Sequence, residues 1–208
     1  MASVFDVAEC VLSETGVSTM KLQKLVFYSQ AYSLSVFDEP LFPDDFEAWA
    51  NGPVCPQLFR AHKGLFVVGK GDLRVESHPD KVAGKQAISV NHVLSALGQL
   101  NGQQLNRLTH AEKPWLDARG GRADGDRCSN VITKQAIREY YGSSACSNVA
   151  FANLSSVAGG CLRIKQRKPA NFSLDVLTLS ATMRHPPGWL WTSGGKLTRR
   201  FSSKFQRF

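Results

Sequence analysis

The sequence predicts a mainly α-helical protein: a compact domain of five to six helices, with room for one small β-hairpin, followed by a basic C-terminal extension. Two observations support this class. Apolar residues recur at three- and four-residue spacing in most segments before Ala145, which is typical of amphipathic helices. After Ala145 that periodicity fades, and serine, glycine and basic residues take over. We therefore expect a helical domain over residues 1–145 and an extension over residues 146–208.

The first two helices have the clearest patterns. Residues 4–12 place their apolar side chains on one helix face, and Ser3 with Asp6 resembles a capping box. A second helix is expected after a cap at Ser18 or Thr19. It is apolar around most of its circumference and stops before a proline, so we expect it at the centre of the core.

Shorter elements follow, each bounded by turn or capping residues. Asn51-Gly52-Pro53 predicts a turn, and Val67 to Val75 around two glycines is compatible with a small hairpin. Four further helices are expected. One covers residues 54–63, and the next follows a cap at Ser89 and is interrupted at Asn101-Gly102. A short helix is expected near Trp115, and the last one follows a cap at Thr133.

Composition excludes several classes of protein. Hydrophobic residues make up 43% of the 208 residues, which is enough for a core. No apolar run approaches the ~20 residues of a membrane-spanning helix, and the acidic start of the chain does not resemble a signal peptide. Five cysteines at irregular spacing argue against a disulfide framework. We expect a cytoplasmic protein without a membrane contact.

Charge is distributed unevenly between the two regions. Residues 1–145 contain 15 basic and 16 acidic side chains, whereas residues 146–208 contain ten basic side chains and one acidic side chain. The formal net charge of +8 therefore arises in the extension. A contact with nucleic-acid phosphates is expected only there.

The sequence contains no recognisable catalytic or cofactor motif. Phosphate-binding glycine loops and the GxSxG elbow are absent. His110-Ala111-Glu112 matches half of the zinc deaminase signature, but the P-C-x-x-C half is missing. The histidines lack the spacing of metal ligands. An enzyme is disfavoured, and we expect no catalytic residue, no metal and no cofactor.

Three segments of the chain carry a family resemblance. They are Met20-Lys21-Leu22-Gln23-Lys24-Leu25 followed by Phe27-Tyr28-Ser29-Gln30-Ala31, then Phe42 with Glu47-Ala48-Trp49-Ala50-Asn51-Gly52-Pro53-Val54-Cys55-Pro56-Gln57-Leu58-Phe59, and Leu108-Thr109-His110-Ala111-Glu112-Lys113-Pro114-Trp115. Together they resemble the Panacea antitoxin domain, the SocA-like family often found beside toxin genes and in prophages. Their order and spacing also agree with the family. The resemblance covers about residues 5–142 and does not extend to the basic extension.

The resemblance implies a mostly helical antitoxin that neutralises a separately encoded protein toxin by direct binding. Two alternatives stay open: a proteolytic adaptor that delivers a toxin to a AAA+ protease, and a DNA-binding autoregulator that uses residues 146–208. The resemblance also marks a set of candidate toxin-contact residues, called here the motif residues: Lys21, Gln23, Lys24, Tyr28, Gln30, Trp49, Gly52, Pro53, Val54, Pro56, Thr109, His110, Glu112, Pro114 and Trp115.

Several motif residues also have a structural interpretation. For Trp49 and Trp115 we expect burial against the helical core, with partner contact as the alternative. Lys21 and Lys24 are expected on the solvated face of the second helix. His110 is expected to hydrogen-bond Glu112 or a backbone carbonyl. The loop segments 40–45 and 65–85 are natural places to vary a partner surface, because loops tolerate substitution.

Overall fold

The computed structural model describes residues 1–12 and 16–152, and two further strands at 189–191 and 197–199. The predicted mainly helical class is confirmed. In these described residues there are seven α-helices: α1 (Val4–Val11), α2 (Thr19–Phe37), α3 (Pro56–His62), α4 (Lys85–Leu97), α5 (Gly102–His110), α6 (Lys113–Arg119) and α7 (Lys134–Tyr141).

Helix α2 is the centre of the core, as the sequence predicted. It packs against α1, α3, α4, α5 and α7. Its side chains from Leu22 to Leu34 are all buried, including the polar ones. It ends at Phe37, where Asp38 adopts a left-handed conformation with φ of 58° and its carboxylate pairs with Arg138 of α7 at 2.7 Å.

Several helix starts follow from local capping chemistry. Ser3 and Asp6 form the predicted capping box of α1, and Ser18 and Thr133 cap α2 and α7. Asn101 forms a second capping box with Gln104 and starts α5 as a separate helix. This cap explains why the structure has seven helices where the sequence pattern suggested five or six.

Short strands form a three-stranded antiparallel sheet beside the helices. Strands β2 (Phe46–Trp49) and β3 (Gly52–Val54) form a hairpin around the predicted turn, and β2 also pairs with β5 (Val131–Ile132). The register places Val54 and Val131 on either side of Glu47. Side chains alternate along β2, so Phe46 and Ala48 enter the core while Glu47 and Trp49 lie on the opposite, outer face.

Two local predictions are wrong. Ser89 does not cap α4, because the helix begins four residues earlier and the Ser89 hydroxyl donates to Lys85 O inside it. The small hairpin over residues 67–75 is also incorrect. Instead, β4 (Val67–Val68) pairs with β1 (Val17–Ser18), a strand about fifty residues earlier in the chain. The Val68 side chain is buried in the core.

The segment after α7 continues to pack on the helical domain. Cys146, Asn148, Ala150 and Phe151 are buried, and residues 149–151 form a 3-10 turn. The chain divides into two compact units, residues 1–163 and 164–208, and the second contains the antiparallel pair β6 (Trp189–Trp191) and β7 (Leu197–Arg199). The functional division after residue 145 stays a prediction, and most of residues 146–208 lies outside the described residues.

No helix in the described part of the chain is long and apolar enough to cross a membrane.

Candidate functional site

The candidate site is built on the β2–β3 hairpin, and its inner support is Lys24 of α2. Lys24 is only 1% exposed. Its ammonium group donates to the backbone oxygens of Asn51 at 2.5 Å and Pro53 at 3.2 Å. The prediction that Lys24 lies on the solvated face of α2 is wrong. It lies on the face shared with Phe27 and Tyr28, three and four residues on, and the hairpin turn covers it.

Gly52 is required directly above this lysine. Its φ is +87°, a region that favours glycine, and a Cβ here would lie 2.5 Å from Cε of Lys24. The same Cβ would lie 2.8 Å from Oγ1 of Thr109. The turn can therefore approach α2 and α5 this closely only with glycine at this position.

Burial lowers the pKa of Lys24 to about 7, because the ammonium ion loses its hydration in the interior. A neutral amine retains two N–H donors, which equals the number of carbonyl oxygens that Lys24 contacts. Both protonation states can therefore hold the turn.

Two glutamines of α2 hold neighbouring loops in the same way. Gln23 accepts from Cys55 N at 2.9 Å, and its amide nitrogen lies 3.0 Å from Nε2 of His62. Gln30 accepts from Leu41 N at 2.7 Å and donates to Phe42 O at 3.0 Å. Together with Lys24, they connect α2 to the loop at residues 41–42, to the hairpin turn and to both ends of α3.

Glu112 is the centre of a second buried polar cluster. Its carboxylate accepts from the hydroxyls of Tyr28 at 2.9 Å and Tyr141 at 2.5 Å, and from Nδ2 of Asn148 at 2.8 Å. Burial raises the pKa of Glu112, and these three donors oppose that shift. Burial likewise raises the pKa of both tyrosines, with the Glu112 charge as a second cause. The cluster joins α2, α7 and the segment after α7 to the start of α6.

His110 and Trp115 form a stacked pair beside the hairpin. Their ring centroids are 3.9 Å apart, and Trp115 is buried as predicted. The sequence predicts that His110 hydrogen-bonds Glu112 or a backbone carbonyl. The Glu112 part of that prediction is wrong, because the Glu112 carboxylate accepts from the two tyrosines and Asn148 instead. The Nε2 atom of His110 is buried without a hydrogen-bond partner in the described part of the chain. Burial lowers the pKa of His110, and the nearby Lys24 charge acts in the same direction.

The remaining motif residues have backbone or end-of-helix roles. Lys21 donates to Gly98 O at 2.6 Å, at the C-terminal end of α4, where a positive charge is favourable. Pro56 and Pro114 lie in the first turns of α3 and α6. Val54 ends β3, and the buried Thr109 donates its hydroxyl hydrogen to Asn106 O at 2.9 Å.

The outer face of the hairpin differs from this interior. Trp49 is half-buried there rather than fully enclosed by the core, and its ring packs edge-on against Phe59 with centroids 4.9 Å apart. Its indole N–H donates to the Glu47 carboxylate at 2.7 Å, while its carbonyl accepts from Trp115 at 3.0 Å. Trp49 is thus fixed at both its side chain and its backbone.

An open cleft of about 700 Å³ lies over this outer face. The hairpin supplies one wall, and the loop before β5 supplies the other. The residues that line it are Glu47, Trp49, Ala50, Asn51, Val54, Arg122, Arg127, Cys128, Ser129 and Asn130. A second depression of about 510 Å³ lies on the other side of Glu47 and includes Asp44, Arg60 and Val131.

The structure therefore separates the motif residues into two groups. Trp49 and Val54 line the cleft, whereas the other motif residues support the hairpin, the loops or the helix ends. Sequence reasoning did not identify Arg122 and Arg127, because the loop that carries them has no periodic pattern or motif. Whether any motif residue contacts a toxin stays a prediction.

Comparison with known proteins identifies one family for the region that contains the hairpin. Residues 22–116 match the family model described as antitoxin SocA-like, Panacea domain. The match contains the hairpin and nearly all of the three motif segments, and it confirms the resemblance for this part of the chain. No curated protein and no solved structure matches the chain significantly.

Proposed function

We propose that this protein is the antitoxin of a toxin–antitoxin pair and neutralises a protein toxin in the cytoplasm by direct binding. The observation that carries the proposal is the match of residues 22–116 to the SocA-like antitoxin domain. A neutralising protein needs a shaped and rigid surface more than a reaction centre. The cleft on the outer face of the hairpin has these properties, since Trp49 is fixed by bonds to Glu47 and Trp115.

Burial of the reactive side chains supports binding rather than catalysis. Lys24 and Glu112 have shifted pKa values, which is common at active sites. Both are nevertheless enclosed by protein, at 1% and 5% exposure, and their hydrogen bonds go to structural groups. We infer that they stabilise the fold beneath the surface.

Co-expression tests the proposal. The chain is produced with an affinity tag beside the product of its adjacent small reading frame, and growth and co-purification are measured. We expect the adjacent product alone to stop growth, and the pair to restore growth and to purify near 1:1. A harmless neighbour that does not co-purify would contradict the proposal.

Delivery to a AAA+ protease gives a different result in the same experiment. Growth would return while the toxin disappeared, and deletion of the protease would restore toxicity. Direct neutralisation predicts that the toxin stays present at full level and that protease deletion has no effect.

DNA-binding autoregulation is the second alternative, and the ten basic residues of the extension favour it. Truncation should come after Ala152, because Asn148 and Phe151 belong to the packed helical domain. If the extension binds DNA, this truncation should abolish binding to the promoter fragment and its salt dependence. Toxin neutralisation should persist.

A second exposed apolar surface offers an alternative location for toxin binding. Phe66 is 88% exposed and Val67 is 59% exposed, both within the predicted variable segment 65–85. That segment is more than a surface loop, since Val68 and Leu73 are buried in the core. Replacing it entirely would therefore disturb folding, and Phe66→Ser with Val67→Ser is the appropriate test.

A further inference from the structure

The cleft over the outer hairpin face has an unbalanced charge. Arg122 and Arg127 are exposed on its loop wall, and in the described part of the chain no carboxylate lies within ion-pair distance of either. Among the described residues, the only acidic side chain that lines the cleft is that of Glu47, whose carboxylate already accepts from Trp49 Nε1 at 2.7 Å. The cleft therefore presents two positive charges whose guanidinium donors are available to a ligand.

The loop that carries the two arginines is anchored from below. Arg119 at the end of α6 donates to Asp126 O at 2.8 Å and also to Ala123 O. Its guanidinium lies 5.3 Å from the centre of the Trp115 ring. Asn130 donates to Ala118 O at 2.8 Å and fixes the other end of the loop. Such anchoring lowers the entropy cost of binding on this wall.

The hairpin supplies the apolar part of the cleft. Trp49 on β2 and Val54 on β3 both line it, and Val54 pairs with Glu47 in the strand register. Val131 on the next strand is 48% exposed and lines the neighbouring depression. A rigid aromatic ring beside arginines is the usual composition of a binding hot spot. Planar guanidinium groups bind carboxylates in a bidentate manner.

We propose that this cleft binds an acidic segment of the partner protein. Arg122 and Arg127 pair with the carboxylates of that segment, and Trp49 with Val54 receives an adjoining apolar side chain. The inference rests on the proposed antitoxin function and adds the location and chemistry of the partner contact. Asp124 and Asp126 lie on the same loop, but they do not line the cleft.

Charge reversal tests the proposal with the co-purifying product of the adjacent reading frame as the probe. The double variant Arg122→Glu/Arg127→Glu should raise the Kd by about 100-fold or more and abolish growth rescue, because each reversal replaces an attraction with a repulsion. Lys63→Glu/Arg107→Glu is the matched control, since it makes the same charge change at exposed residues outside the cleft. It should rescue growth like the wild type.

Two further measurements distinguish the outcomes. Thermal unfolding of both double variants checks that each is folded. If Arg122→Glu/Arg127→Glu is not folded, the neutral variant Arg122→Gln/Arg127→Gln is used in its place. Substituting lysines for acidic residues of the partner should restore binding to the reversed variant. Raising the salt concentration should weaken wild-type binding more than binding by the Gln variant.

Each result has one interpretation. If the wild type binds the toxin and the cleft reversal binds it equally well, the acidic-segment proposal is overturned and the antitoxin function stands. If the wild type neither binds nor rescues, the antitoxin function fails, and the inference fails with it.

Discussion

The inner and outer faces of the β2–β3 hairpin differ in what their residues contact. On the inner face, Lys24, Thr109 and Trp115 are buried and bond to the protein itself. On the outer face, Arg122 and Arg127 are exposed and line an open cleft. The family motif thus falls mainly on the supporting side. The comparison indicates that most of the motif supports the scaffold. In our proposal, the partner contact adds two arginines from outside the motif to Trp49 and Val54.

The largest expected effect concerns the close approach of the turn to α2. Gly52→Ala should lower the free energy of unfolding by about 3–4 kcal/mol, because the added methyl group displaces a buried lysine and adds strain at positive φ. Gly64→Ala is the matched control: its φ is +89°, but no atom lies within 4 Å of the added methyl group. For Gly64→Ala we expect the free energy of unfolding to fall by about 1 kcal/mol. Urea denaturation measures both, and equal losses would contradict the proposed close packing.

A somewhat smaller effect is expected at the buried carboxylate. Glu112→Ala should lower the free energy of unfolding by about 3 kcal/mol, since it leaves three buried donors without a partner. Glu139→Ala on the exposed side of α7 should change it by less than about 0.5 kcal/mol. Hydrogen exchange should also show that the segment after α7 opens more readily in the Glu112 variant. Unchanged stability would argue against the cluster as a structural anchor.

Lys24 predicts a pH dependence whose sign follows from its lowered pKa. Above pH 7 the folded protein releases this proton, whereas the unfolded chain retains it up to a pKa near 10.5. Stability should therefore rise with pH between about 7 and 10, by at most about 1.4 kcal/mol per pH unit. The variant Lys24→Met has no titratable amine at this position, so it lacks this pH-dependent contribution to stability. The difference between wild type and variant is measured by denaturation at several pH values, and a difference independent of pH would contradict the assignment.

The smallest effect is expected on the outer face. Arg122→Ala/Arg127→Ala should change the free energy of unfolding by less than about 0.5 kcal/mol, because both side chains are exposed and lack ion pairs in the described residues. A large loss of stability would show that these arginines belong to the scaffold. The contrast between the two faces would then disappear.

Sequence reasoning predicted the helices better than the site. The apolar circumference of α2 and the caps at Ser3, Ser18 and Thr133 are local patterns, and the structure confirms them. Burial of Lys24 depends on carbonyl groups 27 and 29 residues away. Buried lysines are rare, so composition alone favours the surface. The one local indication that Lys24 is buried was its position on the same helix face as Phe27 and Tyr28.

Long-range pairing explains the other differences. The strand at Val67–Val68 has the expected β-branched residues, but its partner β1 lies about fifty residues earlier in the chain. The cleft likewise combines a hairpin with a loop more than sixty residues further on. Periodicity describes one segment at a time, so it could not bring Trp49 and Arg127 together.

Hydrogen–deuterium exchange of the chain, free and in complex with its co-purifying toxin, tests the central claim most directly. We predict slower exchange on binding in residues 46–54 and 120–132, the two segments that contain the residues lining the cleft. The buried segment 22–34 should exchange slowly in both states. Protection confined to the Phe66–Val67 surface, or to residues 153–208, would contradict the assignment of the outer hairpin face as the toxin-binding surface.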